Sequence, residues 1–179
     1  MAETQTPRGS LLPLASTLLV GTVALYMALV AFGNVTDFGT NQQFVHHVLA
    51  MDTTFEDEDL MWRAIESRSV QDAAYVLIIA WESVAALVLV AATYFWARGL
   101  GHRAFHTARR CSTLGLLMVL LLFGAGFLAI GGEYFAMWQS DDWNGLDAAL
   151  RVFLLSGVVL VVTCLPANET TANSGRPTD

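Results

Sequence analysis

Four long apolar segments constrain the fold of this chain more than any other feature, because each can cross a bilayer as a helix. They occupy residues 11–33, 73–97, 112–137 and 146–165. About 20 mainly apolar residues span the hydrocarbon core as an α-helix, whereas a barrel strand would show about ten residues of alternating polarity. Over half of all residues are hydrophobic, as is typical of integral membrane proteins. The sequence therefore predicts an all-α, four-transmembrane-helix bundle.

The sequence predicts one membrane domain, residues 11–165, with a polar tail on each side of it, at 1–10 and 166–179. The second tail has the composition of a disordered segment. The first apolar segment is too long for the core of a secretory signal peptide, so we interpret it as a retained helix.

Arginine positions predict the orientation of the helices in the membrane. The chain has no lysine, and the loop between the second and third apolar segments carries Arg98, Arg103, Arg109 and Arg110. The positive-inside rule places this loop and both tails in the cytoplasm. The outer loops then hold an acidic excess, at Glu56, Asp57, Glu58, Asp59, Asp141 and Asp142. This charge argues against nucleic acid as a partner.

The long outer loop, residues 34–72, predicts a folded cap over the bundle. Phe44, Val45, Val48 and Leu49 recur at helical spacing, which indicates a short amphipathic helix at the membrane surface. The residues from Thr53 to Glu56 form a capping-box pattern. We expect a second short helix there, with one apolar face formed by Leu60, Met61, Ala64 and Ile65.

Glu82 and Glu133 are the leading candidates for function, because a carboxyl group within an apolar span normally faces a protein interior or a wet cavity. From a helix start near Ala73, Glu82 is predicted near the bilayer centre. Glu133 is expected near the outer end of its helix, level with Arg151. A proton, cation or cationic-ligand site and a purely structural polar contact both fit these carboxylates. For Arg151 a surface pair with Asp147, four residues earlier, is the simpler explanation.

Glu82 needs a polar partner at its depth. Ser83, an internal water, or the hydroxyls of Thr17 and Thr22 are the candidates that the sequence offers. Further candidates lie in and beside the outer cap and could line an outward-facing cavity, or serve as turn, packing and interface residues. They are Asn34, Asp37, Asn41, His47, Asp52, Trp138 and Trp143.

The sequence predicts neither a metal site nor a cofactor. His46 and His47 are adjacent, so their side chains leave a helix in different directions and chelate poorly together. None of the four histidines lies in a predicted span, where a haem would need its ligands. No nucleophile–base set, glycine-rich phosphate loop or nucleotide fingerprint is present.

Several blocks together resemble a known family of bacterial predicted small integral membrane proteins, classed as a domain of unknown function. They are Asn34-Val-Thr-Asp37-Phe-Gly-Thr-Asn41, Phe44-Val-His-His-Val-Leu-Ala-Met51-Asp52-Thr53-Thr54-Phe55, Trp62-Arg63-Ala-Ile65, Trp81-Glu82, Gly131-Gly-Glu133-Tyr-Phe-Ala-Met-Trp138-Gln-Ser140 and Trp143-Asn144-Gly145. Tyr134 stands where the family motif has tryptophan. The resemblance implies four membrane helices and a bacterial plasma-membrane location, and it implies no activity.

The first functional hypothesis is a non-enzymatic accessory or interaction subunit, embedded in lipid and assembled as a homo-oligomer or with a membrane-complex partner. The alternative is an oligomeric small transporter or channel component, in which Glu82 and Glu133 handle protons, cations or a cationic ligand. A membrane enzyme with the carboxylates and His47 as acid–base groups ranks third.

Overall fold

A computed structural model describes residues 11–102 and 104–165 of the chain. Its five helices are α1 Leu11–Thr36, α2 Phe38–Ala50, α3 Arg68–His102, α4 His106–Tyr134 and α5 Leu146–Cys164. Two single turns of 3₁₀-helix, Met61–Arg63 and Met137–Gln139, lie in the loops that the arginine distribution predicts to face outward, and outer and inner are used below in this predicted sense. No strand occurs within these described ranges. The predicted tails at 1–10 and 166–179 lie outside them.

The predicted four-helix membrane bundle is confirmed. Helices α1, α3, α4 and α5 are each long and apolar enough to cross a membrane. Helix α3 packs against α1 on one side and α4 on the other, and α4 packs against α5. The apolar core between them includes Val20, Leu89, Trp96, Leu116 and Val159. Glycine permits the close approach of α3 and α4, since an added Cβ at Gly115 would lie 2.7 Å from Leu89.

The bounds of helices α3 and α4 differ most from those predicted. Helix α3 extends about five residues beyond the predicted 73–97 at both ends. Helix α4 begins six residues before the predicted 112–137 and ends three residues before its predicted end. It is α-helical only as far as Leu120. From Leu121 to Tyr134 it is a π-helix, which ends with the Phe135 amide donating to the Ile130 carbonyl over 2.9 Å. The sequence does not predict this π-helix.

The outer cap contains the first of its two predicted helices. Helix α2 follows α1 directly and packs against the first turns of α3. The second predicted helix is wrong, because Thr53 and Thr54 bond elsewhere instead of capping a helix. The Thr54 hydroxyl donates to the Met51 carbonyl, and Met51 and Glu56 both have positive φ angles that interrupt helical backbone. The expected apolar face still packs inward, against Met51, Phe135 and Ala136.

Candidate functional site

Glu82 lies on α3 and is only 2% exposed. Its Oε2 accepts a hydrogen bond from Nδ2 of Asn34, in the last turn of α1, at 2.6 Å. It is the only hydrogen bond that the Glu82 side chain makes with the described residues. A carboxylate buried in this way requires such a donor, because it has lost its contact with water.

Tyr75 holds the backbone of Asn34 in place. Its hydroxyl donates to the Asn34 backbone carbonyl at 3.0 Å, and its ring packs against Phe38 with the centroids 4.7 Å apart. Tyr75 precedes Glu82 by two turns on α3. One helix therefore holds both the carboxylate and the group that orients the carboxylate's partner.

The hydroxyl partners expected for Glu82 are bonded within their own helices. Thr17 donates to the carbonyl of Pro13, Thr22 to that of Leu18 and Ser83 to that of Ile79. Ser and Thr side chains in helices commonly make this bond to the residue four positions earlier. Asn34 takes the role instead. The sequence indicated Asn34 as a cavity candidate but not as the partner of Glu82.

The contact with Asn34 also changes the depth assigned to Glu82. Asn34 is two residues from the outer end of α1, whereas fourteen residues of α3 precede Glu82. The first turns of α3 therefore extend past the end of α1 and into the cap. Glu82 lies in the outer part of the bundle, below the cap, rather than near the bilayer centre as a helix start at Ala73 had suggested.

A cavity of about 240 Å³ adjoins Glu82. Helices α1, α3, α4 and α5 form its walls, and α2 covers it. Its lining is mainly apolar and aromatic, with polar groups from Glu82, Asn34, Asn41 and Tyr75. On the inner side the core residues Ala85, Ala86 and Leu89 follow Glu82 along α3 and are buried. The cavity is therefore closed towards the inner half of the bundle.

Polar contacts hold α2 in place above this cavity. Oδ1 of Asp72, on the first turns of α3, lies 2.7 Å from Nε2 of Gln42 and 2.6 Å from Nε2 of His46. Asp72 is not among the candidates that the sequence identified. The role of Asp72 depends on the docking of α2 against α3, which no local pattern encodes.

The far side of the cap docks on the loop between α4 and α5. Nδ1 of His47 lies 2.9 Å from Oδ1 of Asp52, and the His47 ring stacks on Trp143 with centroids 4.6 Å apart. Trp138 contacts Phe55 edge to face. These candidates fasten the cap and do not line the Glu82 cavity.

The remaining candidates are separate from Glu82 or peripheral to it. Glu133 and Arg151 are both exposed, and they form no ion pair with each other in the part of the chain that the structure describes. Arg151 likewise makes no pair with Asp147 there. Asp37 accepts a hydrogen bond from Thr40 at the start of α2, and Asn41 lines the cavity.

A second cavity, of about 200 Å³, lies between α2, α3 and the π-helical part of α4. Its walls are apolar and include Val48, Leu49, Ala74 and Ile130. Phe44, Val45, Ile78 and Phe127 line both cavities. These four side chains form the partition between the polar cavity and the apolar one.

A family model described as "predicted small integral membrane protein" matches residues 12–166. The match confirms the resemblance found in the sequence, and it covers the four spans, the cap and every residue of the site. No curated protein and no solved structure matches the chain.

Proposed function

The chain belongs to the family of predicted small integral membrane proteins, and we propose that it is a non-enzymatic accessory protein of the bacterial plasma membrane. We propose further that it binds a small polar or cationic ligand at Glu82. One observation carries the proposal. A buried carboxylate adjoins a cavity beneath a folded cap, and only one of its oxygens, Oε2, is bonded to a described residue. Oε1 is free to contact a ligand.

The neighbours of Glu82 suit binding better than catalysis. Acid–base or nucleophilic chemistry needs a second reactive group within hydrogen-bond reach. Here the neighbour is the Asn34 amide, which is neither an acid nor a base at neutral pH. The Tyr75 hydroxyl is directed to the Asn34 carbonyl and not to the carboxylate. Such a set orients a charge, and so it favours recognition of a ligand.

An accessory role is supported by the lateral surface of the bundle. Glu133 and Arg151 lie on spanning helices and are exposed. Charged groups in contact with lipid are costly, so a partner subunit or a second copy that covers them would lower the free energy. Both residues lie near the ends of α4 and α5 that adjoin the cap, so we expect this contact on the same side of the bundle as the cap.

The second candidate is the oligomeric transporter or channel component, in which Glu82 and Glu133 handle protons, cations or a cationic ligand. The observation that favours it is the carboxylate at the cavity. Against it, a single chain packs Leu89, Trp96, Leu116 and Val159 below the cavity. A path across the membrane would therefore have to form between copies.

The proposal is tested by native mass spectrometry of the protein in lipid nanodiscs. We expect the wild type to retain a small molecule that Glu82→Gln loses, while both retain the same partner subunits. Ser83→Ala is the matched control, because the Ser83 hydroxyl bonds to the Ile79 carbonyl on the same helix.

Two other results would reject the proposal. Retention of the same molecules by wild type and Glu82→Gln would remove Glu82 from the binding site. A pH-dependent flux in proteoliposomes that Glu82→Gln abolishes, with folding intact, would favour the transporter.

A further inference from the structure

We propose that the Glu82 cavity binds a small organic ammonium ion, an amine or quaternary nitrogen that carries short apolar substituents. This inference rests on the proposed function, since it names the ligand class for the same cavity. Three features carry it: the charge balance of the lining, its aromatic content and its shortage of oxygen ligands.

The charge balance calls for a cation. Glu82 supplies a carboxyl group to the cavity lining, and among the described residues no lysine, arginine or histidine lines it. Asn34 supplies a hydrogen bond but no positive charge. A carboxylate buried without an opposite charge is strongly destabilised, so a buried carboxyl group either takes up a proton or is paired with a cation. A positively charged ligand would supply the charge that the described part of the protein does not.

The walls favour an organic cation. Five aromatic residues line the cavity with the carboxylate: Tyr26, Phe44, Tyr75, Phe123 and Phe127. Aromatic faces attract ammonium groups through the ring quadrupole, and a cage of such faces is the usual way in which proteins recognise alkylated nitrogen. Phe127 stacks on Phe123 with centroids 5.4 Å apart and also approaches Phe44. The three rings form a continuous aromatic wall.

The same lining disfavours a bare metal ion. Ca²⁺ and Mg²⁺ require roughly six oxygen ligands at close range. The Asn34 backbone carbonyl already accepts from Tyr75, and the remaining wall includes Val30, Ile78 and Val152. The volume of about 240 Å³ is also below the roughly 300–1,000 Å³ of drug-sized pockets. A small ammonium ion satisfies both limits.

The outer surface suits the approach of a cation. Acidic residues 56–59 in the cap and Asp141 and Asp142 beside α5 are exposed, and the whole chain has a net charge of −7. Such a field raises the local concentration of cations. Tyr26 of α1 and Ala148 of α5 are the exposed members of the lining. The entrance therefore lies between these two helices.

The experiment compares choline with 3,3-dimethyl-1-butanol, which has the same shape and no charge. Isothermal titration of the full chain in nanodiscs, in sodium chloride buffer, measures both. We expect wild type to bind choline about tenfold or more tightly than the alcohol. Glu82→Gln should abolish that difference. Phe127→Leu should weaken choline binding, whereas Phe153→Leu, outside the cavity lining, should not.

Equal binding of the two compounds by wild type, or a preference for choline that survives Glu82→Gln, would overturn the inference. The wild-type comparison needs no variant, so it holds even if a substitution impairs folding. Failure to bind choline, with a Glu82-dependent molecule still seen by native mass spectrometry, would reject the ammonium ligand and leave the proposed function standing. Absence of both would reject the two together.

Discussion

The hydrogen bond between Asn34 and Glu82 joins two helices across 48 residues of sequence. It satisfies one buried oxygen of Glu82 and leaves the other to the cavity. A hydrogen bond to a charged group contributes about 1.5–3 kcal/mol, and leaving a buried group without a partner costs a similar amount. The same contact thus stabilises the outer part of the bundle and positions the carboxylate.

Replacement of Asn34 by alanine should therefore lower the free energy of unfolding by about 1–3 kcal/mol. The loss arises because the Glu82 carboxylate loses its donor while staying buried. Thermal or denaturant unfolding in mild detergent measures it. Asn41→Ala is the control, since Asn41 lines the same cavity but its side chain, among the described residues, bonds only to the nearby Asp37 carbonyl at 3.4 Å. Equal losses in both variants would contradict the role given to Asn34.

At this scale the sequence identified the residues but not their pairing. Glu82 stood out because a carboxyl group in an apolar span is unusual, and Asn34 stood out as a polar residue after such a span. Their contact depends on the fourteen residues of α3 that precede Glu82. Asp72 went unnoticed for the same reason, since its partners belong to another helix.

Among the helix contacts, that of α3 with α4 leaves little room for change. A Cβ at Gly115 would lie 2.7 Å from both Cγ and Cδ2 of Leu89, which is fully buried. Gly115→Ala should destabilise the bundle by about 1–3 kcal/mol, as overpacking of a filled core does. Unfolding in detergent measures the change. Gly157→Ala on α5 meets only an ordinary contact at 3.9 Å and should leave stability unchanged or raised. A Gly115→Ala variant as stable as Gly157→Ala would show that the two helices can separate freely.

The side-chain hydrogen bonds between α2 and α3 at Asp72 share one carboxylate, beside the packing of Phe38 on Tyr75. Asp72→Ala removes the acceptor shared by Gln42 and His46. Amide hydrogen exchange in residues 38–50 should accelerate about tenfold or more, since the opening free energy falls by at least one hydrogen bond to a charged group. Helices α4 and α5 should keep their protection. The exposed Glu66 provides the control, Glu66→Ala, and uniform acceleration throughout the chain would contradict a local latch.

Element positions were predictable where hydropathy determines them and not elsewhere. The bounds of α1 and α5 lie close to the apolar segments at 11–33 and 146–165. The second helix predicted in the cap does not form, because the side chains of Thr53 and Thr54 make other hydrogen bonds instead of capping a helix. The π-helix of α4 has no periodic signature in a segment that is apolar on every face.

For the whole molecule, the arginine distribution predicts a cap outside and the α3–α4 loop inside. Single cysteines test this in a background without Cys111 and Cys164. Glu58→Cys in the cap should react with a membrane-impermeant maleimide on intact cells. Ala104→Cys, in the short loop after α3, should react only after lysis. The reverse pattern would invert the orientation and place the Glu82 cavity on the cytoplasmic side.

The four-helix plan was predictable because membrane spans are recognisable one at a time. The cavity was not, because it forms where the four spanning helices meet and α2 covers them. Each lining residue, taken alone, resembles an ordinary core or interface residue. Only the charge of Glu82 distinguished that place in the sequence.

The length of α3 has a mechanical consequence. At 1.5 Å per residue its 35 residues form a rod about 52 Å long, and α2 is fastened to its outer turns while Glu82 lies further along it. A tilt of about 5° about the inner end would displace the outer end by about 4–5 Å. Helices tilt when bilayer thickness changes. We therefore expect the lid over the cavity to shift with the thickness of the surrounding lipid, so that one rigid helix acts as a lever between the membrane and the cavity.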